Sequence, residues 1–427
     1  MDKLRIEGGQ TLSGEVDVSG SKNAALPMIA ATLLSEKPSS LLGLPALADV
    51  KTLNQVLNHL GVSTVTENGE TIYSPAKLNS VEATYDLVRK MRASVLVLGP
   101  LLTRFGRARV SLPGGCAIGA RPIDLHLQGL KAFGATILLE HGYVDAKAPR
   151  GGLQGARVVL DFPSVGATEN LLMAAVLARG ESCIENAARE PEIAHLANTL
   201  VEMGAQIDGI GTGILRINGV ASLDGFRRPT PADRIESGTF IAAAAMTGSD
   251  ITLNNVAYDE LDAVVDRFKA AGCVFEPFEN SNTHTGQSVR VRGPEKLLPV
   301  DIRTAPFPGY PTDMQAQMMA CMCVADGTSV FQETIFENRF MHVMELDRMG
   351  ADIRVDGNQA VVRGVSQLSG APVMATDLRA SAGLVVAALV AEGITDVLRI
   401  YHLDRGYVRL EEKLRGLGAN IERLPQE

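Results

Sequence analysis

The fragment "LKAFGATI" at residues 130–137 decides the fold, because close variants of it return along the whole chain. The variants are LNHLGVST, LKAFGATI, LVEMGAQI, FKAAGCVF, LDRMGADI and LRGLGANI. Their shared glycines are separated by 73, 70, 68, 78 and 68 residues and are Gly61, Gly134, Gly204, Gly272, Gly350 and Gly418. A glycine directly after an amphipathic helix is a typical helix stop. Units of about 70 residues are too long for a solenoid repeat, so the pattern predicts six small α/β modules.

Each module also contains a second helix, upstream of the glycine, that is apolar on every side. The six cores are AALPMIAATLL, SVLVLGPLL, LLMAAVLA, FIAAAAM, AQMMACMCVA and AGLVVAALVA. A helix without a polar face must be buried all round, and runs of this length are too short to span a bilayer. We therefore expect these helices at the centre and the sheets outside, with three modules around each of two axes.

The domain boundary is expected at the proline- and charge-rich stretch "DGFRRPTPADRIES", residues 224–237. This places the first domain at residues 22–231. The second domain then takes residues 232–427 together with residues 1–21, whose strand-like stretch can pack with the last module. Two chain crossings form a hinge, so we expect an active-site cleft between the domains that closes to exclude water.

The composition limits the classes of function. The chain has 427 residues, 46% hydrophobic and 21% charged, with a formal net charge of −9, which argues against a general nucleic-acid or membrane-surface binder. No apolar run reaches the roughly 18–20 residues of a membrane span, and the start "MDKLRIEGGQ" has no apolar signal core. Five scattered cysteines favour a reducing compartment, so a cytoplasmic location is expected. Cys321 and Cys323, two apart in an apolar helix, are interpreted as core residues.

Cations stand at the starts of several buried helices. Lys22, Arg92 and Arg379 occupy equivalent repeat positions, where a cation is mildly unfavourable without an anionic partner. The ordinary alternative is a surface cation, and Asp313 at another helix start is interpreted as a favourable cap. If these helix starts face the cleft, the cations converge on a ligand with at least two negative groups.

Three further arginines, Arg121, Arg339 and Arg405, lie in matching local contexts. The guanidinium fork suits carboxylate and phosphate oxygens. The alternative for the last two is a salt bridge to a sequence neighbour, Glu337 or Asp404.

Seven motifs together resemble the enolpyruvyl transferases: GSKNAALP, PGGCAIGARPIDLH, DFPSVGATEN, PTDMQAQ, FENRF, DLRASAG and YHLDRGY. The resemblance covers residues 1 to about 423 and implies two inside-out α/β barrels of three repeats each. It implies transfer of the enolpyruvyl group of phosphoenolpyruvate to the 3′-hydroxyl of UDP-N-acetylglucosamine with release of phosphate. In that case the enzyme would catalyse the first committed step of peptidoglycan synthesis, which serves the cell wall, cell shape and division.

The resemblance also assigns roles to residues. Cys116, on a glycine-rich loop that can close over substrate, would be the general acid, and Asp313 would contact or deprotonate the sugar hydroxyl. The catalytic residues would be Cys116, Asp313, Lys22 and Arg405. Phosphoenolpyruvate would bind to Lys22, Asn23, Arg121, Arg339, Arg379 and Arg405. UDP-N-acetylglucosamine would bind to Asn23, Arg92, Arg121, Pro122, Ile123, Asp124, Leu125, Ser164, Val165, Gly166, Asp313, Ile335 and Phe336.

The same thiol offers covalent chemistry, because a cysteine near cations can be partly thiolate. The resemblance implies that Cys116 forms an adduct with phosphoenolpyruvate and is alkylated by fosfomycin. No cofactor or metal is expected, and the sequence leaves the oligomeric state open.

Three alternatives remain open. Enzymes of the sister reaction on shikimate 3-phosphate have the same fold but lack the cysteine loop. A noncatalytic nucleotide-sugar sensor would be expected to lose Lys22, Cys116 or Asp313. Without the resemblance, Cys116 and His126 would suggest a cysteine-nucleophile hydrolase. His126 is more simply interpreted as a nucleotide contact or a helix-surface histidine.

Overall fold

The computed structural model describes residues 2–75, 78–89, 91–112 and 123–426, with Arg92 described only by its backbone. The strands in these ranges are β1 (Asp2–Glu7), β2 (Ser13–Asp17), β3 (Ser39–Leu42), β4 (Ser63–Glu67), β5 (Glu70–Ser74), β6 (Glu82–Ala83), β7 (Arg107–Ser111), β8 (Thr136–Glu140), β9 (Tyr143–Lys147), β10 (Arg157–Val159), β11 (Glu181–Glu185), β12 (Gln206–Asp208), β13 (Ile214–Asn218), β14 (Arg227–Pro229), β15 (Asp250–Asn254), β16 (Val274–Glu279), β17 (Gln287–Arg292), β18 (Ile302–Arg303), β19 (Thr328–Gln332), β20 (Asp352–Asp356), β21 (Gln359–Arg363), β22 (Pro372–Met374), β23 (Ile394–Leu398) and β24 (Asn420–Pro425).

The α-helices are α1 (Lys22–Ala31), α2 (Ala48–Leu60), α3 (Tyr85–Val88), α4 (Leu98–Phe105), α5 (Asp124–Ala132), α6 (Val165–Ala175), α7 (Pro191–Glu202), α8 (Arg234–Thr247), α9 (Asp262–Ala270), α10 (Gln315–Met322), α11 (Val343–Arg348), α12 (Leu378–Ala388) and α13 (Leu410–Gly416). Short 3-10 turns cover Thr32–Leu34, Arg92–Val97, Tyr258–Glu260, Thr312–Met314 and Ile400–Arg405. None of these described helices has the length and apolar character that a membrane span requires.

The chain divides into two compact units, which we call the N-unit (residues 20–112 and 123–231) and the C-unit (residues 2–19 and 232–426). It passes from one to the other at residues 19–20 and 231–232. Next to these crossings the two strands of chain pair within each unit: Ser21 N–H donates to the Pro231 carbonyl (2.6 Å), and Asp233 N–H donates to the Ser19 carbonyl (2.8 Å).

Six four-stranded sheets repeat one plan: a parallel pair of strands followed by two antiparallel neighbours. In the N-unit the orders are β14-β3-β5-β4, β6-β7-β9-β8 and β10-β11-β13-β12. In the C-unit they are β16-β17-β15-β2, β18-β19-β21-β20 and β22-β23-β1-β24. The N-terminal strand β1 therefore joins the sixth module as expected, whereas β2 joins the fourth.

The repeat glycines end the amphipathic helices, as the sequence pattern predicts. All six have φ between 88° and 106°, a left-handed conformation that residues with a Cβ rarely adopt. The strand that follows each glycine starts within two residues of it. The prediction of six modules from this motif is confirmed.

The apolar helices form the centre of each unit. In the C-unit α8, α10 and α12 contact one another, and nearly every residue of each is buried. Gly383 allows the close approach of two of them, since an added Cβ would lie 2.9 Å from the carbonyl oxygen of Ala316. In the N-unit α4 contacts α6, and α1 contacts the 3-10 turn that precedes α4. Cys321 and Cys323 are fully buried core residues, as expected.

Candidate active site

In the C-unit one carboxylate joins two buried guanidinium groups. Asp313 Oδ1 accepts a hydrogen bond from Arg339 Nη2 (3.0 Å), and its Oδ2 accepts one from Arg379 Nε (3.1 Å). The arginine side chains are only 3% and 4% exposed, and that of Asp313 is 28% exposed. Two buried cations around one aspartate leave an excess positive charge, which suits an incoming anion.

The start of α12 fixes the position of Arg379. The Asp377 carboxylate caps this helix and accepts from the backbone N–H groups of Arg379 (2.9 Å) and Ala380 (3.1 Å). Burial acts to lower the pKa of the Arg379 guanidinium, but the Asp313 carboxylate, Tyr407 and Asp233 together outweigh it, so the pKa lies above its ordinary value. Within the described residues, Nη1 of Arg379 is buried and has no hydrogen-bond partner. An anionic oxygen at that nitrogen would satisfy it.

At this site one interpretation from the sequence, for Asp313, and one alternative, for Arg339, are wrong. Asp313 is not a helix cap, because it lies inside the 3-10 turn before α10, and its two oxygens accept from arginine side chains. Arg339 pairs with this distant aspartate and not with its neighbour Glu337. A salt bridge needs side chains that converge, and the fold brings the start of α10 to the start of α12.

Arg405 ends the 3-10 turn before α13 and is partly buried. Its neighbour Gly406 packs on the start of α12, where an added Cβ would lie 2.6 Å from Leu378 Cδ1. Arg405 is thereby close in the fold to Leu378, the residue directly before Arg379. The sequence neighbour Asp404 binds Arg423 (2.6 and 3.1 Å).

Glu333 is a residue that sequence reasoning missed. Its buried carboxylate accepts from the backbone N–H groups of Ile335 (2.8 Å) and Phe336 (3.2 Å). It also accepts from the hydroxyls of Thr304 (2.8 Å) and Thr312 (2.9 Å). Glu333 therefore links the turn at Ile335 and Phe336, two predicted nucleotide-sugar contacts, to Thr312, the residue directly before Asp313. No local sequence pattern marks Glu333, because its role depends on hydrogen-bond partners that only the fold supplies.

Tyr407 is a second missed residue. Its ring lies 5.5 Å from the Arg379 guanidinium carbon, and its hydroxyl lies 2.9 Å from Thr239 Oγ1. Gln317 Nε2 donates to both hydroxyls, at 3.2 and 3.3 Å. Burial raises the pKa of the Tyr407 phenol. This network joins all three modules of the C-unit beneath the arginine pair.

In the N-unit Lys22 begins α1 and finds an anionic partner within the protein. Its Nζ lies 3.3 Å from Asp49 Oδ2 on α2, and both side chains are largely buried. Ser21 caps the helix through a hydrogen bond from Ala24 N–H (3.3 Å). Asn23 follows in the first turn and is partly exposed. Asp49 thus supplies part of the negative charge that we expected Lys22 to require.

Two other predicted segments of the N-unit form helix starts. Ser164 caps α6 by accepting from Ala167 N–H (3.3 Å), so Val165 and Gly166 form its partly exposed first turn. The segment of Asp124 and Leu125 opens α5 directly after Ile123. Backbone N–H groups at helix starts attract phosphate groups.

His126 connects these two helix starts. The interpretation of His126 as a helix-surface histidine is wrong, because the side chain is 5% exposed. Its Nδ1 lies 3.0 Å from Asn170 Nδ2, and its Cε1 would lie 3.3 Å from a Cβ at Gly166.

Four predicted site residues are not described in full by the structure. Cys116, Arg121 and Pro122 lie outside the described residues, and Arg92 is described only by the backbone at the start of its 3-10 turn. Their proposed roles therefore rest on the sequence motif.

Comparisons with known proteins agree on one family. The model of the EPSP synthase (3-phosphoshikimate 1-carboxyvinyltransferase) family matches residues 6–414. A relative named UDP-N-acetylglucosamine 1-carboxyvinyltransferase from Trichlorobacter lovleyi is 57% identical over 426 residues and is covered, like this chain, to 100%. One of the same name from Geobacter metallireducens is 57% identical over 427 residues, again with 100% of both chains covered.

Solved structures show the same architecture. The enolpyruvyl transferase NikO from Streptomyces tendae superposes with a TM-score of 0.88 at 25% identity, covering 99% of this chain and 98% of its own. An EPSP synthase from Acinetobacter baumannii superposes with a TM-score of 0.78 at 19% identity, covering 100% of both chains. The second likeness concerns the fold alone. Together they confirm the expected α/β fold of two three-module units.

Proposed function

The chain belongs to the EPSP synthase family of enolpyruvyl transferases, and on that premise we propose that it transfers the enolpyruvyl group of phosphoenolpyruvate to the 3′-hydroxyl of UDP-N-acetylglucosamine, releasing phosphate. Relatives of 54–57% identity along the full chain carry the name of this activity. The reaction is a step of peptidoglycan synthesis, and its substrates are two small anionic molecules. We place it in the cytoplasm, which agrees with the free thiols of the described cysteines.

The geometry that supports the proposal most directly is the buried Asp313–Arg339–Arg379 cluster. Arg339 and Arg379 would hold the phosphoenolpyruvate carboxylate, and Nη1 of Arg379, which has no hydrogen-bond partner among the described residues, offers a donor for one of its oxygens. Lys22, Asn23, Arg121 and Arg405 would complete the binding of phosphoenolpyruvate, with the phosphate held by the three cations. Fixed cations stabilise charge that develops in the transition state without reorganisation.

Asp313 would act on the acceptor hydroxyl. Each carboxylate oxygen has a second lone pair besides the one that accepts from arginine, so a sugar hydroxyl can also donate to it. The partly exposed side chain leaves room for that contact. Asp313 thus either orients the hydroxyl or removes its proton as the oxygen attacks.

The two chemical steps balance as an addition followed by an elimination. In the addition, C3 of phosphoenolpyruvate gains a proton while the 3′-oxygen bonds to C2 and loses its own proton. In the elimination, the bond from C2 to the phosphate oxygen breaks, C3 loses a proton, and the phosphate leaves protonated. Cys116 would supply the proton to C3 as a general acid.

The nucleotide sugar would bind to the N-unit helix starts and to the turn fastened by Glu333. The residues proposed for it are Asn23, Arg92, Arg121, Pro122, Ile123, Asp124, Leu125, Ser164, Val165, Gly166, Asp313, Ile335 and Phe336. The first turn of α6 presents backbone N–H groups and the positive end of the helix dipole, which suit a diphosphate.

Two alternatives are less well supported. The family model carries the name of the shikimate 3-phosphate enzyme, but the full-length relatives at 54–57% identity carry the name of the nucleotide-sugar enzyme. A noncatalytic sensor would not need the buried arginine pair bridged by Asp313.

Substitutions at Cys116 test the proposed general acid. Cys116→Ala should lose phosphate release, because no other group is proposed to protonate C3. Cys116→Asp should retain turnover, since a carboxylic acid can also donate a proton, and should no longer be alkylated by fosfomycin in a mass measurement of the intact protein. A wild-type rate for Cys116→Ala would refute the acid role.

A further inference from the structure

One buried side-chain amide in the N-unit joins three elements. Asn170 lies in α6 with no exposed surface. Its Nδ2 donates to the Val95 carbonyl (2.9 Å) in the 3-10 turn before α4, and its Oδ1 accepts from Gly99 N–H (2.6 Å) in α4. Nδ2 also lies 3.0 Å from Nδ1 of His126 in α5. Every hydrogen-bonding direction but one of this amide is therefore occupied.

The two backbone partners decide which way the amide faces. A backbone N–H can only donate, so the Asn170 atom next to Gly99 must be the oxygen. A carbonyl can only accept, so the atom next to Val95 must be the nitrogen. Turning the amide over would place donor against donor at one end and acceptor against acceptor at the other. The nitrogen is thus fixed toward His126.

This orientation determines the tautomer of His126. An amide nitrogen has no acceptor lone pair, so the contact at 3.0 Å is a hydrogen bond only if His126 Nδ1 accepts it. A neutral imidazole with an accepting Nδ1 carries its proton on Nε2. The Cε1–Nε2 edge of the ring then lies against the first turn of α6, at 3.3 and 3.5 Å from the Cβ position of Gly166.

The ring therefore sits between the two helix starts to which we assign the nucleotide sugar. Asp124 and Leu125 directly precede His126 on α5, and Ser164–Gly166 open α6. We propose that Asn170 is a positioning residue: it fixes His126 in the Nε2–H tautomer and thereby sets the spacing between these helix starts for binding of the nucleotide diphosphate. This inference rests on the proposed function.

The close packing of Gly99 against Asn170 supports a specific role for this hydrogen bond. A Cβ at Gly99 would lie 2.4 Å from the Asn170 carbonyl oxygen and 2.6 Å from its Oδ1, so only glycine allows this N–H to reach the amide. This contact requires a glycine in α4, although alanine would stabilise the helix by about 1 kcal/mol more than glycine does.

Nitrogen-15 NMR of the histidine rings tests the tautomer directly. We expect His126 in the wild-type protein to show an unprotonated Nδ1 and a protonated Nε2, with its signal assigned by its loss in His126→Gln. Asn170→Asp replaces the donor by an acceptor, so the ring must carry a proton on Nδ1. A wild-type ring protonated on Nδ1, or an unchanged ring in Asn170→Asp, would overturn the proposal.

Steady-state kinetics test the role in binding. Asn170→Asp should raise KM for UDP-N-acetylglucosamine about tenfold, the effect of losing one well-formed hydrogen bond, and change KM for phosphoenolpyruvate by less than about twofold. In a His126→Gln background the same substitution should change KM for the nucleotide sugar by at most about twofold, because Asn170 acts through the ring. Equal fold-changes in both backgrounds would contradict the proposal.

Two further proteins keep the test decisive. Asn170→Ser replaces the fixed amide donor by a shorter hydroxyl that can donate or accept, without burying a charge, so it should mix the two tautomers and raise the nucleotide-sugar KM several-fold if Asn170→Asp fails to fold. His59→Gln changes an exposed histidine on α2 and serves as the matched control, with both KM values unchanged. Absence of turnover in the wild type would instead refute the proposed function, while the NMR result would still judge the tautomer.

Discussion

Replacing Asp313 by asparagine tests the charge balance at the candidate active site. Asp313→Asn keeps the shape of the side chain but leaves Arg339 and Arg379 as two buried cations with no shared carboxylate. Breaking a fully buried ion pair costs about 3–5 kcal/mol. Because the Asp313 side chain is 28% exposed, solvent screens part of that loss, so we expect a fall in the unfolding free energy of about 2–3 kcal/mol.

The binding of phosphoenolpyruvate should become stronger in Asp313→Asn, although the unfolding free energy falls. Its carboxylate can replace the missing charge, so added phosphoenolpyruvate should stabilise Asp313→Asn more than it stabilises the wild type. Turnover should nevertheless fall about 100-fold, because the acceptor hydroxyl loses its carboxylate partner.

Urea denaturation followed by circular dichroism, with and without phosphoenolpyruvate, measures both effects. Asp396→Asn is the matched control, since Asp396 also binds two cations, Arg5 and Lys3, but their side chains are 44% and 20% exposed, whereas those of Arg339 and Arg379 are buried. It should cost at most about 1 kcal/mol. Equal losses in the two variants, or no extra stabilisation of Asp313→Asn by phosphoenolpyruvate, would refute this account of the cluster.

Further substitutions test packing, the Glu333 turn and the response to acid. Gly99→Ala should destabilise the protein by about 1–3 kcal/mol in urea denaturation, because its Cβ would lie 2.4 Å from the Asn170 carbonyl oxygen, whereas Gly416→Ala has open space and should not. Glu333→Ala leaves four donors without their acceptor and should raise KM for the nucleotide sugar more than about tenfold, with partial recovery in Glu333→Gln. The side-chain hydrogen bond from Arg5 lowers the pKa of Asp396 from 3.8 to about 2, so its stabilisation should be complete above that ordinary value and be lost as the pH falls toward 2. Asp396→Asn should flatten that part of the stability profile, and an unchanged profile would contradict the assignment.

The repeated features of the fold could be predicted from sequence because they follow from local physics. A glycine with positive φ after an amphipathic helix marks each module, and Gly61 and Gly418 show this as clearly as the four between them. A helix with no polar face must be central, as α8 and α12 are. The pairing of strands that are distant in sequence was harder to predict. Pairing of β14 with β3, or of β2 with β15, joins segments far apart in the chain, and no local pattern specifies the partner.

The candidate site was predictable in its residue types but not in its contacts. The motifs identified Arg339, Arg379 and Asp313, yet the pairing of Asp313 with both arginines depends on where α10 and α12 meet. Glu333 and Asn170 escaped notice because their importance lies in backbone groups that they bind. Sequence patterns report side chains, and neither residue type is unusual at its position until the fold supplies partners.

The central claim is that this chain joins an enolpyruvyl group to a nucleotide sugar, and acceptor-dependent phosphate release tests it most directly. The purified protein is mixed with phosphoenolpyruvate and either UDP-N-acetylglucosamine or shikimate 3-phosphate, and inorganic phosphate is measured over time. We predict one phosphate released for each UDP-N-acetylglucosamine consumed, and none with shikimate 3-phosphate. Release that depends on shikimate 3-phosphate, or that needs no acceptor, would contradict the claim.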